Sequence, residues 1–147
     1  FITPGLDTLP VGKADIRREG RDVAQLVFGS PLAAALEAAE RLDATVVNMR
    51  YVKPLDEDCV LKLAASHRIL ATLEDNAVAG GAGSAVAEAL MRHGNDAAVA
   101  MLGIPDRFIE HASREQQLAE CGLDADGIYQ RIQRELAGRI ATLRAVD

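Results

Sequence analysis

The sequence predicts an α/β fold, a three-layer α/β/α domain built on a mostly parallel sheet. Three observations predict it. Short apolar runs of strand length alternate with segments whose apolar residues recur at helical spacing, the signature of a sheet covered on both faces. Aromatic residues make up only 3 % of the chain and Trp is absent, so the core must be built from Ala, Leu, Val and Ile, which suits closely layered helices and strands. A length of 147 residues fits one domain, large enough to bury a core without disulfides or metal.

Taken in order, residues 1 to 13 carry Pro4, Gly5, Pro10 and Gly12 and read as an irregular lead-in or linker, with the domain proper over residues 14 to 147. Ala14 to Glu19 is predicted as a short edge strand on which Arg17 and Arg18 discourage edge pairing. Asp22 to Phe28 follows as a mostly apolar strand. Ser30-Pro31 predicts a helix start, with Ser as cap and Pro at the first helical position. Leu32, Ala35, Leu36, Ala39 and Leu42 then form one apolar stripe. Ala44 to Met49 is the next strand. The turn Lys53-Pro54-Leu55-Asp56 leads to a second helix, capped by Asp56 and carrying Cys59, Leu61 and Leu63.

Ile69 to Leu73 is a buried-strand run, followed by the polar knot Glu74-Asp75-Asn76 and the glycines Gly80, Gly81 and Gly83. Ala82, Ala85, Val86, Ala89 and Leu90 recur at helical spacing, and Gly94 after His93 marks the stop. The stretch from Ile69 to Leu90 therefore reads as strand, flexible loop, helix. Ala97 to Leu102 is a further strand. Ser113-Arg114-Glu115-Gln116 has the spacing of a capping box and predicts a short helix to about Glu120. Ile128, Ile132, Leu136, Ile140 and Leu143 mark one face of a C-terminal helix.

The net charge of −6 and the lack of a dense Lys/Arg stripe argue against nucleic acid as a partner. No apolar run reaches membrane-spanning length, and no signal peptide is visible. Cys59 and Cys121 stand alone and far apart, which suggests a reducing cytoplasm. The first residue is Phe1, so the chain reads as a piece of something longer.

The glycine cluster at a helix start could receive an anion, because first-turn N–H groups lack internal partners. Yet Gly81-Ala82-Gly83-Ser84-Ala85 is followed by Val86, which breaks the dinucleotide fingerprint, and no P-loop Gly-Lys-Ser/Thr occurs. Close packing against a helix, a strand and a neighbouring domain is the stronger expectation. Glu74 is the best acidic candidate, since it closes a central parallel strand where ligands and partners meet such sheets. Alternatively Glu74, Asp75 and Asn76 hold the following loop through backbone hydrogen bonds. His67 and His93 suit helix C-termini, and His111, in a loop after Phe108-Ile109, is the best placed of the three. Ser30, Ser84 and Ser113 all suit caps, and Cys59 suits core packing. No ligand spacing for a metal and no nucleophile elbow is present, so no complete active site assembles.

Leu73 to Leu90, L-E-D-N-A-V-A-G-G-A-G-S-A-V-A-E-A-L, resembles the C-terminal domain of the transketolase-like thiamine-diphosphate enzymes. So does Val46 to Asp56, V-V-N-M-R-Y-V-K-P-L-D, with its Arg and Pro-Leu-Asp turn. Those two segments would also fit the β-chain of a 2-oxoacid dehydrogenase. Leu102 to His111 and Leu118 to Ile128 resemble the 1-deoxy-D-xylulose-5-phosphate synthase family instead, as do Leu9 to Lys13 and residues 17 to 22. The resemblance covers residues 9 to 135. Ala112 departs from it, standing where that family usually has Gly.

The resemblance implies a five-stranded sheet whose first strand is antiparallel to the other four. It implies a parent enzyme that condenses pyruvate with glyceraldehyde 3-phosphate, releasing CO2, with thiamine diphosphate held through Mg2+ by the preceding domains. It carries no catalytic, cofactor-binding or metal-binding residue onto this chain, which is expected to be inert alone. The implied role is to support the preceding domains and a cytoplasmic homodimer. Glu74, Asp75, Asn76, Gly80, Gly81, Gly83, Ser84 and His111 are the candidate domain or dimer contact. A free-standing module that captures a phosphorylated ligand at Gly80–Ser84 is the reading from another class.

Overall fold

The computed structural model describes residues 8 to 144, with side chains as far as residue 138. Pro4 and Gly5 of the predicted lead-in, and the side chains of Ile140 and Leu143, lie outside the described residues. The elements are β1 (Asp15–Arg18), β2 (Val23–Phe28), α1 (Leu32–Leu42), β3 (Thr45–Asn48), α2 (Glu57–Ser66), β4 (Ile69–Ala77), α3 (Ala82–Arg92), β5 (Val99–Ile104), α4 (Arg114–Glu120) and α5 (Ala125–Arg144).

The five strands lie in the order β1-β3-β2-β4-β5. β1 runs antiparallel to β3, and β3, β2, β4 and β5 are mutually parallel. The predicted class and topology both hold. Alternation along the central strands divides the core into two halves. Val23 and Val27 of β2, with Ile69, Ala71 and Leu73 of β4, pack under α1 and α5. Ala24, Leu26 and Phe28, with Leu70, pack under α2 and α3. Apolar burial on both faces gives the chain a closed core of its own. Gln25 and Thr72 sit within this alternation, fully buried, and their side-chain polar atoms have no hydrogen-bond partner among the described residues.

Local chemistry explains most boundaries. Asp56 caps α2 by accepting from the Cys59 N–H, and Ser113 and Gln116 form both halves of the predicted capping box on α4. Gly94 takes φ +62° just after α3, as the stop signal requires. Ile128 and Ile132 of α5 are fully buried, and Leu136 packs at the edge of the same cluster. His67 and His93 occupy the C-cap positions of α2 and α3.

Three expectations are corrected. Ser30 does not cap α1: Pro31 stands at that position with helical φ, and the Ser30 hydroxyl donates to the Asp75 carboxylate. An ionised acceptor at the end of the adjacent strand outcompetes a backbone N–H for that hydroxyl. Ser84 is likewise no cap, because α3 begins two residues earlier. β4 does not end at Leu73 but continues through Glu74-Asp75-Asn76 to Ala77. Glu74 pairs with Phe28 of β2, and Ala77 pairs with Ile104 after an irregularity, so the neighbouring ladders hold the polar residues in the strand. β5 accordingly lies two residues later than expected.

Candidate functional site at the carboxyl edge of the sheet

β2 leads through α1 to β3 on one side, while β4 lies on its other side. The connections leaving β2 and β4 therefore diverge, and the carboxyl edge between them is the switch point where doubly wound sheets open a crevice. A groove of about 490 Å3 lies there, lined by Phe28, Gly29, Arg50, Asn76, Gly80 and Ser84 among others.

At its floor stands Glu74, only 3 % exposed. Its Oε2 accepts the Ala82 N–H at 2.7 Å and its Oε1 the Gly83 N–H at 2.9 Å. The carboxylate thus caps α3 from the end of the neighbouring strand, where the helix dipole favours negative charge. The flanking N–H groups are also satisfied, Gly81 to the Val78 carbonyl and Ser84 to the Gly81 carbonyl. The geometry speaks against the phosphate reading at Gly80–Ser84: first-turn donors an anion would use hold the protein's own carboxylate. Of the two roles open for Glu74, the structure shows the hydrogen-bonding one.

The glycines divide by function. A Cβ on Gly81 would fall 2.3 Å from Glu74 Oε2 and 2.4 Å from the Ala77 carbonyl oxygen, and one on Gly83 would fall 2.6 Å from Thr72 Oγ1. Both are buried and serve close approach inside this chain. Gly80 instead takes φ +74°, with nothing within 4 Å of its Cβ position. Among the candidate contact residues, Asn76, Gly80 and His111 are exposed, and Asp75 and Ser84 are half-buried.

Asp75 sits at the lip of the groove in a cluster that local sequence could not show. Ser30 Oγ donates to its carboxylate, and Arg114 Nη2 donates both to Ser30 Oγ and, at 3.2 Å, to Asp75 Oδ2. The Ser30 hydrogen bond, against the pull of partial burial and with help from Arg114, holds the Asp75 carboxyl below its ordinary range. Local sequence explains Ser30 and Arg114 each by a helix start, and the sequence separations of 45 and 84 residues hide their meeting. Nearby, Arg50 takes φ +59°; its N–H bonds Asn48 Oδ1 and its guanidinium lies 2.9 Å from Asp15.

This arrangement can dock and brace, but it does not assemble acid–base or nucleophilic chemistry. Ser30, which donates to a carboxylate at the lip of this groove, faces an Asp whose lowered affinity for protons makes it a poor base. Burial pushes the Cys59 thiol up, away from the reactive thiolate. Among the described residues no group of His, Cys, Asp and Glu could hold a metal, and no helix is long and apolar enough to cross a membrane.

Comparison with known proteins places these features. The family model for the transketolase C-terminal domain matches residues 12–128. A protein from Thioalkalivibrio sulfidiphilus named 1-deoxy-D-xylulose-5-phosphate synthase is 62 % identical over 135 residues, which cover 92 % of this chain and 21 % of that protein. Its namesake from Thiobacillus denitrificans is 59 % identical over 136 residues, covering 92 % and 22 %. The chain thus spans about a fifth of the length of the curated relatives it matches. A solved structure titled "Split gene transketolase, inactive beta4 tetramer" superposes with a TM-score of 0.83 at 32 % identity, covering 92 % of this chain and 46 % of that one. Thiamine diphosphate, which the resemblance places in the preceding domains, would have to compete here with Glu74 for the Ala82 and Gly83 N–H groups, so these residues do not fit it.

Proposed function

The chain belongs to the transketolase C-terminal domain family, and we propose that it is the non-catalytic C-terminal domain of a 1-deoxy-D-xylulose-5-phosphate synthase. The parent enzyme condenses pyruvate with glyceraldehyde 3-phosphate and releases CO2, feeding isoprenoid, thiamine and pyridoxal phosphate synthesis. Thiamine diphosphate and Mg2+ are held upstream, in domains this chain packs against, within a cytoplasmic homodimer. The observation that carries the supporting role is the Glu74 cap, which occupies the first-turn N–H groups of α3 with an internal carboxylate. The identity to relatives bearing the synthase name supports the parent assignment over a dehydrogenase β-chain.

In this reading the carboxyl edge is the contact surface. Asn76, Gly80 and His111 offer exposed positions on it, with Asp75 and Ser84 behind them. Glu74, Gly81 and Gly83 support that edge from within. The test is to assay pyruvate plus glyceraldehyde 3-phosphate with thiamine diphosphate and Mg2+, running the full-length parent beside this chain. Deoxyxylulose phosphate is expected from the parent alone. No product from a folded parent would remove the synthase assignment, and product from this chain would remove the supporting role. Asn76→Arg tests the contact without touching the fold. It should weaken activity or dimerisation of the parent while leaving the melting of this chain unchanged.

A further inference from the structure

The loop from β5 to α4 holds the most exposed aromatic side chain in the described structure. Phe108 is 99 % exposed, in a chain whose aromatic content is only 3 %. Its neighbour Ile109 faces the other way, into a hollow of about 230 Å3 beside Ile104, Leu118 and Cys121. The loop is braced from behind: Arg107 bonds Glu120 at 2.7 Å, Gln117 Nε2 donates to the Glu110 carbonyl at 3.0 Å, and the Arg107 N–H reaches the Pro105 carbonyl. A tied loop that presents a large apolar ring to water has already met the ordering cost of a binding anchor. Buried aromatic anchors dominate most interfaces.

The same edge receives the incoming chain. Because β1 is antiparallel, its first residue, Asp15, pairs with Asn48 at the end of β3. Asp56 holds that entry point by accepting from the Ala14 N–H and from Lys13. Leu9, Val11 and Val52 add exposed apolar surface around it. The relatives extend far beyond the matched region, of which this chain is the C-terminal domain type. Their upstream portion would therefore join this domain at the same carboxyl end of the sheet as the Phe108 loop, although β1 and β5 are its two outer strands.

We propose that Phe108 is the aromatic anchor that docks this domain onto the upstream part of its own longer protein, filling an apolar pocket there. The proposal rests on the reading of the chain as the C-terminal domain of a longer enzyme, and names the residue that carries the contact. Amide hydrogen exchange tests it, comparing the full-length protein with this chain, each as wild type and Phe108→Ser.

The expected result is exchange at least about tenfold slower for residues 104 to 113 in the full-length protein than in the chain. Phe108→Ser should abolish that difference and leave the melting temperature of the chain unchanged. Equal exchange of the loop in both proteins, with Asn76 and Gly80 still protected in the longer one, would overturn the anchor and leave the docking edge standing. Equal exchange at all of these positions would overturn both. A dimer of the chain alone in sedimentation, lost in Phe108→Ser, would make a second copy the occupant and overturn the proposal as well.

Discussion

Of the connections that leave the carboxyl edge of the sheet, those after β4 and β5 spend their side chains in opposite ways. The loop after β4 carries the conspicuous motif, yet its atoms turn inward. Glu74 caps α3, Gly81 and Gly83 make room for Glu74 and Thr72, and each N–H from Gly81 to Ser84 finds a partner in the same chain. The loop after β5 carries no glycine cluster, yet it is braced to hold Phe108 in solvent. A motif can be distinctive because the fold needs it, and a partner surface can lie in the plainer segment beside it.

Substitutions should separate the two loops by size of effect on this chain. The largest is Gly81→Val, whose side chain meets the Glu74 carboxylate and the Ala77 carbonyl; it should cost more than about 3 kcal/mol in urea unfolding. Glu74→Gln keeps the shape but removes the charge and turns one donor toward the Ala82 or Gly83 N–H. A loss of about 2–3 kcal/mol is expected by the same measurement. Gly80→Ala meets no atoms and carries only the strain of its left-handed backbone, so about 1 kcal/mol should be lost. If Gly80→Ala proved worse than Gly81→Val, the inward packing of this loop would be wrongly described.

Asp75 links the loops, since it lies near the end of β4 and binds Arg114 just beyond the second one. Its folded affinity for protons is lowered, so its contribution is complete above the unfolded carboxylate range and is lost as pH falls through the folded value. Stability should therefore lose an increment below about pH 4 that Asp75→Asn removes. With both partners partly exposed, the increment is about 0.5 kcal/mol. The smallest effect belongs to Phe108→Ser, within about 0.5 kcal/mol of wild type in this chain, because the ring stands in water.

What the sequence made legible follows the range of the interactions. The stripe on α1, the Asp56 cap, the capping box at Ser113 and the stop at Gly94 are all local, and each was read correctly. The end of β4 was misread because Glu74, Asp75 and Asn76 look like loop residues until Phe28 and Ile104 pair beside them. At the candidate site, Glu74 was legible as the acidic residue of the carboxyl edge, though β4 runs three residues past it. Its hydrogen bonds to α3 were only one of two alternatives, and the meeting of Ser30, Asp75 and Arg114 was invisible. Phe108 reads in the sequence only as one of an apolar pair before His111, and its exposure is a property of the whole fold.

The central claim is that the glycine-rich helix start is closed by Glu74 and supports the fold instead of receiving a ligand. Two-dimensional amide NMR of this chain with inorganic pyrophosphate addresses it most directly. The Ala82 and Gly83 signals should remain in place as pyrophosphate is added, and should move when Glu74 is replaced by Gln. Saturable movement of those two signals with pyrophosphate in the wild-type chain would contradict the claim and restore an anion site at the carboxyl edge.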